Sequence, residues 1–289
     1  MDFNFILLAS AVLGGIALVS AIIIYFIAKA FKVEEDPLID EVAENLPGAN
    51  CGGCGYPGCR GLADAIVKAG TLEGLNCPAG GSNTMTKIAE ILGITAVVSD
   101  PIIAVLKCNG TCELAPAKSF YDSALSCAYA STLFSGESGC QYGCLGCGDC
   151  VNVCKFDALK MDPVTKLPVV SEENCVGCGA CVKACPRSLF EIRKKGIKNR
   201  RIYVACSNQD KGGYAKKNCD VACIGCSKCV KVCAFDAITV TNNLAYIDEA
   251  KCKLCRKCVS ECPTKCIHEI NFPPKKEVKA VEEVIEAVN

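Results

Sequence analysis

The sequence contains no tryptophan and a single histidine, His268. Haem ligation and histidine-based acid–base catalysis are therefore poorly supplied, and His268 is expected on the surface or in a tail. Charge imbalance is also missing: 31 basic residues stand against 31 acidic ones, for a net charge of zero. With no nucleic-acid motif either, nucleic acid is not an expected partner. No Rossmann glycine run, P-loop or nucleophile–base pair is evident, so substrate chemistry is expected to lie in partner subunits.

Charge is absent locally as well. Residues 3–28 carry none, and a run of that length is predicted to cross a bilayer as one helix. Its polar side chains are Asn4, Ser10, Ser20 and Tyr25, too sparse a set to line an ion path. Met1 and Asp2 do not supply the basic region of a signal peptide, so the span is expected to stay as an anchor. Lys29 and Lys32 follow it directly. The positive-inside bias then predicts a single-pass protein of the cell inner (cytoplasmic) membrane, with everything after Phe31 on the cytoplasmic side. Gly14 and Gly15 would let another helix approach closely, or are simply tolerated there.

What the chain has in abundance is cysteine, 27 among 289 residues. Disulfide scaffolds are typically short and secreted, whereas these cysteines fall in metal-ligand spacing and suit a reducing compartment. The pattern C-x2-C-x2-C-x3-C occurs as Cys144, Cys147, Cys150, Cys154 and again as Cys175, Cys178, Cys181, Cys185. Three thiolates three residues apart can wrap three irons of a cubane, while the fourth cysteine, starting a helix, points toward a partner cubane. One 4Fe-4S cluster is thus expected on Cys144, Cys147, Cys150 and Cys185, and a second on Cys175, Cys178, Cys181 and Cys154. Pro186 follows Cys185, but Lys155 takes the usual proline position after Cys154. Structural zinc is the plain alternative, though two uninterrupted four-cysteine runs exceed what paired C-x2-C zinc sites need.

The pattern then repeats. Cys127, Cys140, Cys144, Cys147, Cys150 and Cys154 recur 79 residues later as Cys206, Cys219, Cys223, Cys226, Cys229 and Cys233, and the 175–185 set recurs 77 residues later as Cys252, Cys255, Cys258 and Cys262. This predicts a duplicated two-cluster module. By the same crossing, Cys223, Cys226, Cys229 and Cys262 hold a third cluster, and Cys252, Cys255, Cys258 and Cys233 a fourth. Nearer the N-terminus, Cys51, Cys54, Cys59 and Cys77 form C-x2-C-x4-C-x17-C among crowded glycines, as expected where backbone folds closely around a fifth cluster. GLADAIVKAG and TKIAEILGI read as helices and PIIAVL as a strand.

The expected fold class is α+β: an N-terminal transmembrane helix (1–30), a small 4Fe-4S domain (31–85), a connecting segment with extra cysteines (86–139), two tandem two-cluster ferredoxin-like modules (140–200 and 201–270) and a tail (271–289). The tail carries a charge pattern that suggests a short exposed helix or a mobile end. Seven cysteines remain: Cys108, Cys112, Cys127, Cys140, Cys206, Cys219 and Cys266. They are either small buried thiols or the makings of a sixth cluster, held by Cys108, Cys112, Cys127 and Cys140 or by the pairs Cys127/Cys140 and Cys206/Cys219 together.

The uncleaved anchor, the CGGCGYPGC set with Cys77, the segment CNGTCELAP and the ferredoxin motifs together resemble the B subunit of the Rnf-type ion-translocating electron transport complex. The resemblance covers essentially the whole chain. It implies a membrane-anchored multi-cluster subunit that accepts electrons from soluble ferredoxin and relays them within a ferredoxin:NAD oxidoreductase coupled to sodium or proton transport. Flavin and NAD sites would then belong to other subunits. Relative to shorter members, this chain carries an additional ferredoxin module. The alternative is a polyferredoxin subunit of a membrane hydrogenase or dehydrogenase, which the ferredoxin motifs alone would allow. Finally, residues 193–201 place Arg193, Lys194, Lys195, Lys198, Arg200 and Arg201 in a run without an acid. This run is either a solvated connecting loop or a docking surface for an acidic ferredoxin.

Overall fold

The computed structural model describes residues 3–30, 36–96, 100–120, 122–132 and 136–274. Lys32 and the tail residues 275–289, which carry the expected flank charge and terminal helix, lie outside the described residues. The chain divides into two units, Met1–Glu41 and Val42–Asn289.

The first unit is dominated by helix α1, Phe3–Ala30, of 28 residues. At 1.5 Å per residue it is about 42 Å long, enough to cross a hydrocarbon core of about 30 Å. An apolar helix satisfies its backbone internally, and the hydroxyl of Ser20 does likewise by donating to the Ile16 carbonyl at 2.8 Å. Its large side chains, Leu13, Ile16, Leu18 and Phe26 among them, are exposed. Helix α2, Pro37–Asn45, straddles the boundary between the units.

The second unit begins with two short amphipathic helices, α3 (Cys59–Ala69) and α4 (Gly81–Leu92). Each buries one face, through Leu62, Ala63 and Ile66 in α3 and Met85, Ile88 and Ala89 in α4. Each ends at a left-handed glycine, Gly70 (φ 63°) and Gly93 (φ 65°), the backbone state that closes a helix cheaply only without a Cβ.

A motif then runs twice. Its first copy comprises β1 (Ile102–Leu106), α5 (Cys127–Thr132), α6 (Asp149–Asn152), β2 (Leu159–Met161), β3 (Pro168–Val170), α7 (Ala180–Ala184) and β4 (Phe190–Lys194). After a 3-10 turn, Ile197–Asn199, the second copy comprises β5 (Arg201–Val204), α8 (Gly212–Asn218), α9 (Lys228–Lys231), β6 (Ile238–Thr241), β7 (Leu244–Ile247), α10 (Lys257–Glu261) and β8 (Ile267–Ile270). In each copy the inner strands form an antiparallel hairpin, β2 with β3 and β6 with β7, and the outer strands pair antiparallel, β1 with β4 and β5 with β8. Strand β1 comes from the segment expected to be a connector. Its register, Leu106 opposite Phe190 and Ile102 opposite Lys194, makes it an integral part of the first copy.

The copies meet through a small core of Ile103, Val105, Tyr203 and Ala205. Ile103 and Ile247 are fully buried, each contributing about 1.5–3 kcal/mol of transfer free energy. His268, expected at the surface, instead lies half-buried on β8. It stands opposite Tyr203 with ring centroids 6.0 Å apart, and burial holds its pKa below the usual imidazole value.

Candidate iron–sulfur centres

The four C-x2-C-x2-C loops share one backbone path. In each, the residues before and after the middle cysteine are left-handed: Gly146 and Gly148, Gly177 and Gly179, Gly225 and Ser227, then Leu254 and Arg256. The third residue after each fourth cysteine is left-handed too, at Asp157, Ser188, Asp236 and Lys265. Such turns curl each loop tightly around its middle cysteine. A short helix, α6, α7, α9 or α10, then carries the third cysteine inward, and Cys150, Cys181, Cys229 and Cys258 are all buried.

In the first copy, Cys127, Cys144, Cys150 and Cys185 line one space of about 20 Å³, and Cys147 adjoins Cys127. Cys154 is a near neighbour of Cys178, which in turn adjoins Cys175 and Cys181. In the second copy, Cys223, Cys226, Cys229 and Cys262 line a space of about 20 Å³. Cys233, Cys252, Cys255 and Cys258 line another of about 10 Å³.

The donor set fits iron–sulfur clusters. Every group is all-sulfur, and backbone amides point at the sulfurs: Leu189 N–H to Cys185 and Ala104 N–H to Cys175, each at 3.5 Å. Burial pushes the thiols of Cys144, Cys181 and Cys258 up to about 12 and those of Cys150 and Cys229 up to about 11. Neutral thiols are poor ligands, so it is the metal's own charge that must draw off these protons.

In the N-terminal set, Cys77 is electrostatically close to Cys59 and Cys51, and its sulfur accepts the Gly80 amide at 3.3 Å. Asn50 shapes this loop by accepting the Cys59 amide at 2.8 Å. Cys54 sits half-buried on the same turn. The loop packs on the first copy: a Cβ at Gly53 would stand 2.8 Å from the backbone of Cys178, and Cys51 is felt by the Cys178 thiol.

Comparison with known proteins agrees with this picture. The 4Fe-4S dicluster domain family matches residues 143–189 and 222–266, and an Fe-S cluster family matches residues 46–79. The chain is 44% identical over 264 residues, 91% of its own length and 78% of the relative's, to the B subunit of the Na(+)-translocating ferredoxin:NAD(+) oxidoreductase complex of Acetobacterium woodii. The chain belongs to the B subunits of ion-translocating oxidoreductase complexes. Other B subunits are similar: that of the ion-translocating oxidoreductase complex of Methanosarcina acetivorans is 40% identical over 89% of this chain and 96% of its own length. That of the proton-translocating ferredoxin:NAD(+) oxidoreductase complex of Clostridium ljungdahlii is 38% identical over 92% and 93%.

Within this B-subunit chain the basic run 193–201 does not form an open positive surface. Arg193 is buried, donates to the carbonyls of Ile202 and Ile247, pairs with Glu191 at 3.1 Å and lies 5.3 Å from the Tyr246 ring. Lys194 pairs with Asp100 at 2.7 Å, and Lys195 donates to the Glu172 carbonyl at 2.6 Å. Arg201 pairs with Glu172 at 2.5 Å, and Arg200 donates to the Asn271 carbonyl and lies over Phe272. Arg193 and Arg201 tie the two copies together, a role that a linear run cannot reveal. Lys198 is exposed.

Three spare cysteines find places that spacing did not suggest. Cys127 begins α5 and adjoins Cys144, Cys147 and Cys150. Cys266 is buried between Cys223 and Cys262, 3.5 Å from the latter. Its thiol bonds to both sulfurs and draws Cys223 down to about 6 and Cys262 to about 5. Cys112 is exposed, with the Thr165 carbonyl oxygen at 3.7 Å. The 79-residue spacing pairs Cys127 with Cys206, but in the fold the counterpart of Cys206 is Cys108. Each lies two residues past the first strand of its copy, Cys108 after β1 and Cys206 after β5.

Proposed function

We propose that the chain is the membrane-anchored electron-transfer subunit of an ion-translocating ferredoxin:NAD oxidoreductase, carrying 4Fe-4S clusters on the five assigned cysteine sets. The observation that carries this reading is the gathering of cysteines around small cavities in both copies, in a chain that also has an apolar helix of membrane-spanning length. The sequence shows no substrate-binding motif, so the chain's work is to hold clusters, exclude water from them and set their potentials by burial and amide donation. Helix α1 is read as the single membrane pass, with the cluster domains on the cytoplasmic side and the other subunits of the complex as partners.

Soluble ferredoxin is proposed to dock on the second two-cluster module. Cys226 and Cys255 are exposed there, whereas their first-copy counterparts Cys147 and Cys178 are partly covered. Exposed lysines surround them: Lys251, Lys253 and Lys257 along one loop, and Lys228 and Lys231 on α9, which packs against α10. Complementary charge steers an acidic carrier to that end and lets it leave again. The test is stopped-flow reduction by ferredoxin at varied ionic strength, comparing the native chain with Lys251→Gln/Lys253→Gln/Lys257→Gln. A several-fold slower second-order rate and a flatter salt dependence are expected, because fewer charges remain to steer and be screened. Equal rates and salt slopes would move the docking surface elsewhere.

A further inference from the structure

Four cysteines outside the five sets converge on one enclosed space. Cys108, Cys140, Cys206 and Cys219 line a cavity of about 20 Å³ between the two copies, together with small residues such as Gly110, Ala115, Gly143 and Ala222. The dimensions match the spaces lined by assigned ligand sets, about 20, 20 and 10 Å³. A Cβ at Gly110 would lie 3.3 Å from the Cys219 sulfur and 3.9 Å from that of Cys108, so this glycine leaves the sulfurs room.

The arrangement is two-fold in pattern. Each copy gives one cysteine two residues past its outer strand, Cys108 or Cys206, and one four residues ahead of its first loop ligand, Cys140 or Cys219. The local hydrogen bonds repeat as well: Cys144 N–H donates to the Cys108 sulfur at 3.4 Å, and Cys223 N–H to the Cys206 sulfur at 3.2 Å. Asn208, 1% exposed, donates its side-chain amide to the Cys140 sulfur at 3.3 Å. The Arg187 guanidinium lies close enough to Cys108 and Cys140 to interact with both electrostatically.

We propose that Cys108, Cys140, Cys206 and Cys219 hold a sixth four-iron cluster that joins the two dicluster modules. Among the described residues no three ligand side chains gather around a single-ion point, here or in the dicluster loops. A cubane binds each thiolate at a different iron, whereas zinc draws all four sulfurs to about 2.3 Å from one centre. The site shares its size, its cysteine donors and its sulfur-directed amides with the assigned sets.

Its place gives it a role, which rests on the five-cluster reading above. Cys144 lines the same cavity, and Cys223 donates its amide to a ligand of the site. The Gly53 loop meets Cys178 at the far side of the first copy. The clusters therefore fall in a single file: the Cys252 set, the Cys223 set, the sixth site, the Cys144 set, the Cys175 set and the Cys51 set. Transfer through the sixth site takes one electron from the Cys223-set cluster, oxidised by one, and gives it to the Cys144-set cluster, reduced by one. No bond or proton need change.

The test uses the full-length chain, purified anaerobically in detergent, and its Cys108→Ala/Cys219→Ala variant. The native chain is expected to hold about 24 irons with matching sulfide, and the variant about 20. One EPR-active centre should vanish while the others persist, and ferredoxin should still reduce the second-copy clusters rapidly but no longer the first-copy clusters. A second variant, Asn208→Ala, keeps all ligands and is expected to leave the iron content unchanged while shifting the potential of one centre downward. Unchanged iron and EPR in the cysteine variant, or one zinc per chain bound at these residues, would overturn the proposal. A native content near about 12 irons, by contrast, would indict the five-set reading itself.

Discussion

At the residue scale, the loops differ in how they reach one shape. Three of the eight left-handed positions beside the middle cysteines lack glycine: Ser227, Leu254 and Arg256. A left-handed non-glycine residue costs about 1–2 kcal/mol, so something nearby must hold it. Arg256 is held by a two-pronged pair with Glu269, a bond to the Pro273 carbonyl at 3.0 Å and the Phe272 ring 5.1 Å away. Arg256→Gly is therefore expected to lower the anaerobic thermal midpoint despite relieving the backbone, and Leu254→Gly to leave it unchanged or raise it slightly. Gly53→Ala is expected to push the N-terminal loop off Cys178, slowing transfer to that cluster in freeze-quench EPR while leaving the first-copy clusters loaded. The proposed ligand cysteines stand out in the sequence because the size of a cubane would fix their spacing. The partner of Cys206 was not. The path from Cys108 to Cys140 is longer than that from Cys206 to Cys219, and a constant spacing cannot follow a loop that differs in length between copies.

At the scale of elements, β1 and the basic run show why a linear reading stops short. PIIAVL was recognisable as a strand from its apolar run, yet its partner β4 lies some 80 residues on and is settled only by folding. Likewise, the run 193–201 reads as a surface in sequence, whereas Glu172, Glu191, Asp100 and main-chain carbonyls supply partners for five of its six cations. Glu172 accepts Arg201 at 2.5 Å and Asn271 at 2.7 Å, bridging the copies. Burial by itself would raise this carboxyl, but those bonds outweigh it and hold its pKa below the usual 4.5. Glu172→Ala is expected to cost about 1 kcal/mol, the carboxylate being partly solvent-screened. Because the folded pKa is the lower one, the contribution is full above about pH 4.5 and fades as the pH falls through the folded value. Unfolding of native and variant chains should therefore converge in acid. Equal stability of the two at pH 7 would show that the bridge contributes nothing.

At the scale of the molecule, the duplication, the long apolar helix and the membership in the B-subunit family were readable because each rests on long repeats or long apolar runs. The interface between copies was not, since it is made of residues that no pattern links. The crossed ligands described above bear also on the order in which the protein can be made. On the proposed crossing, Cys144, Cys147 and Cys150 wait for Cys185, and Cys154 waits for the 175–181 loop, so the first copy has no complete site until residue 181 has left the ribosome and not both until residue 185 has. Strand β4, which seals the pair, emerges last of all. Cluster insertion is thus tied to completion of the copy rather than to its growth. A chain ending at residue 170 is expected to carry no stable cluster at Cys144–Cys154, while one ending at residue 200 recovers both together.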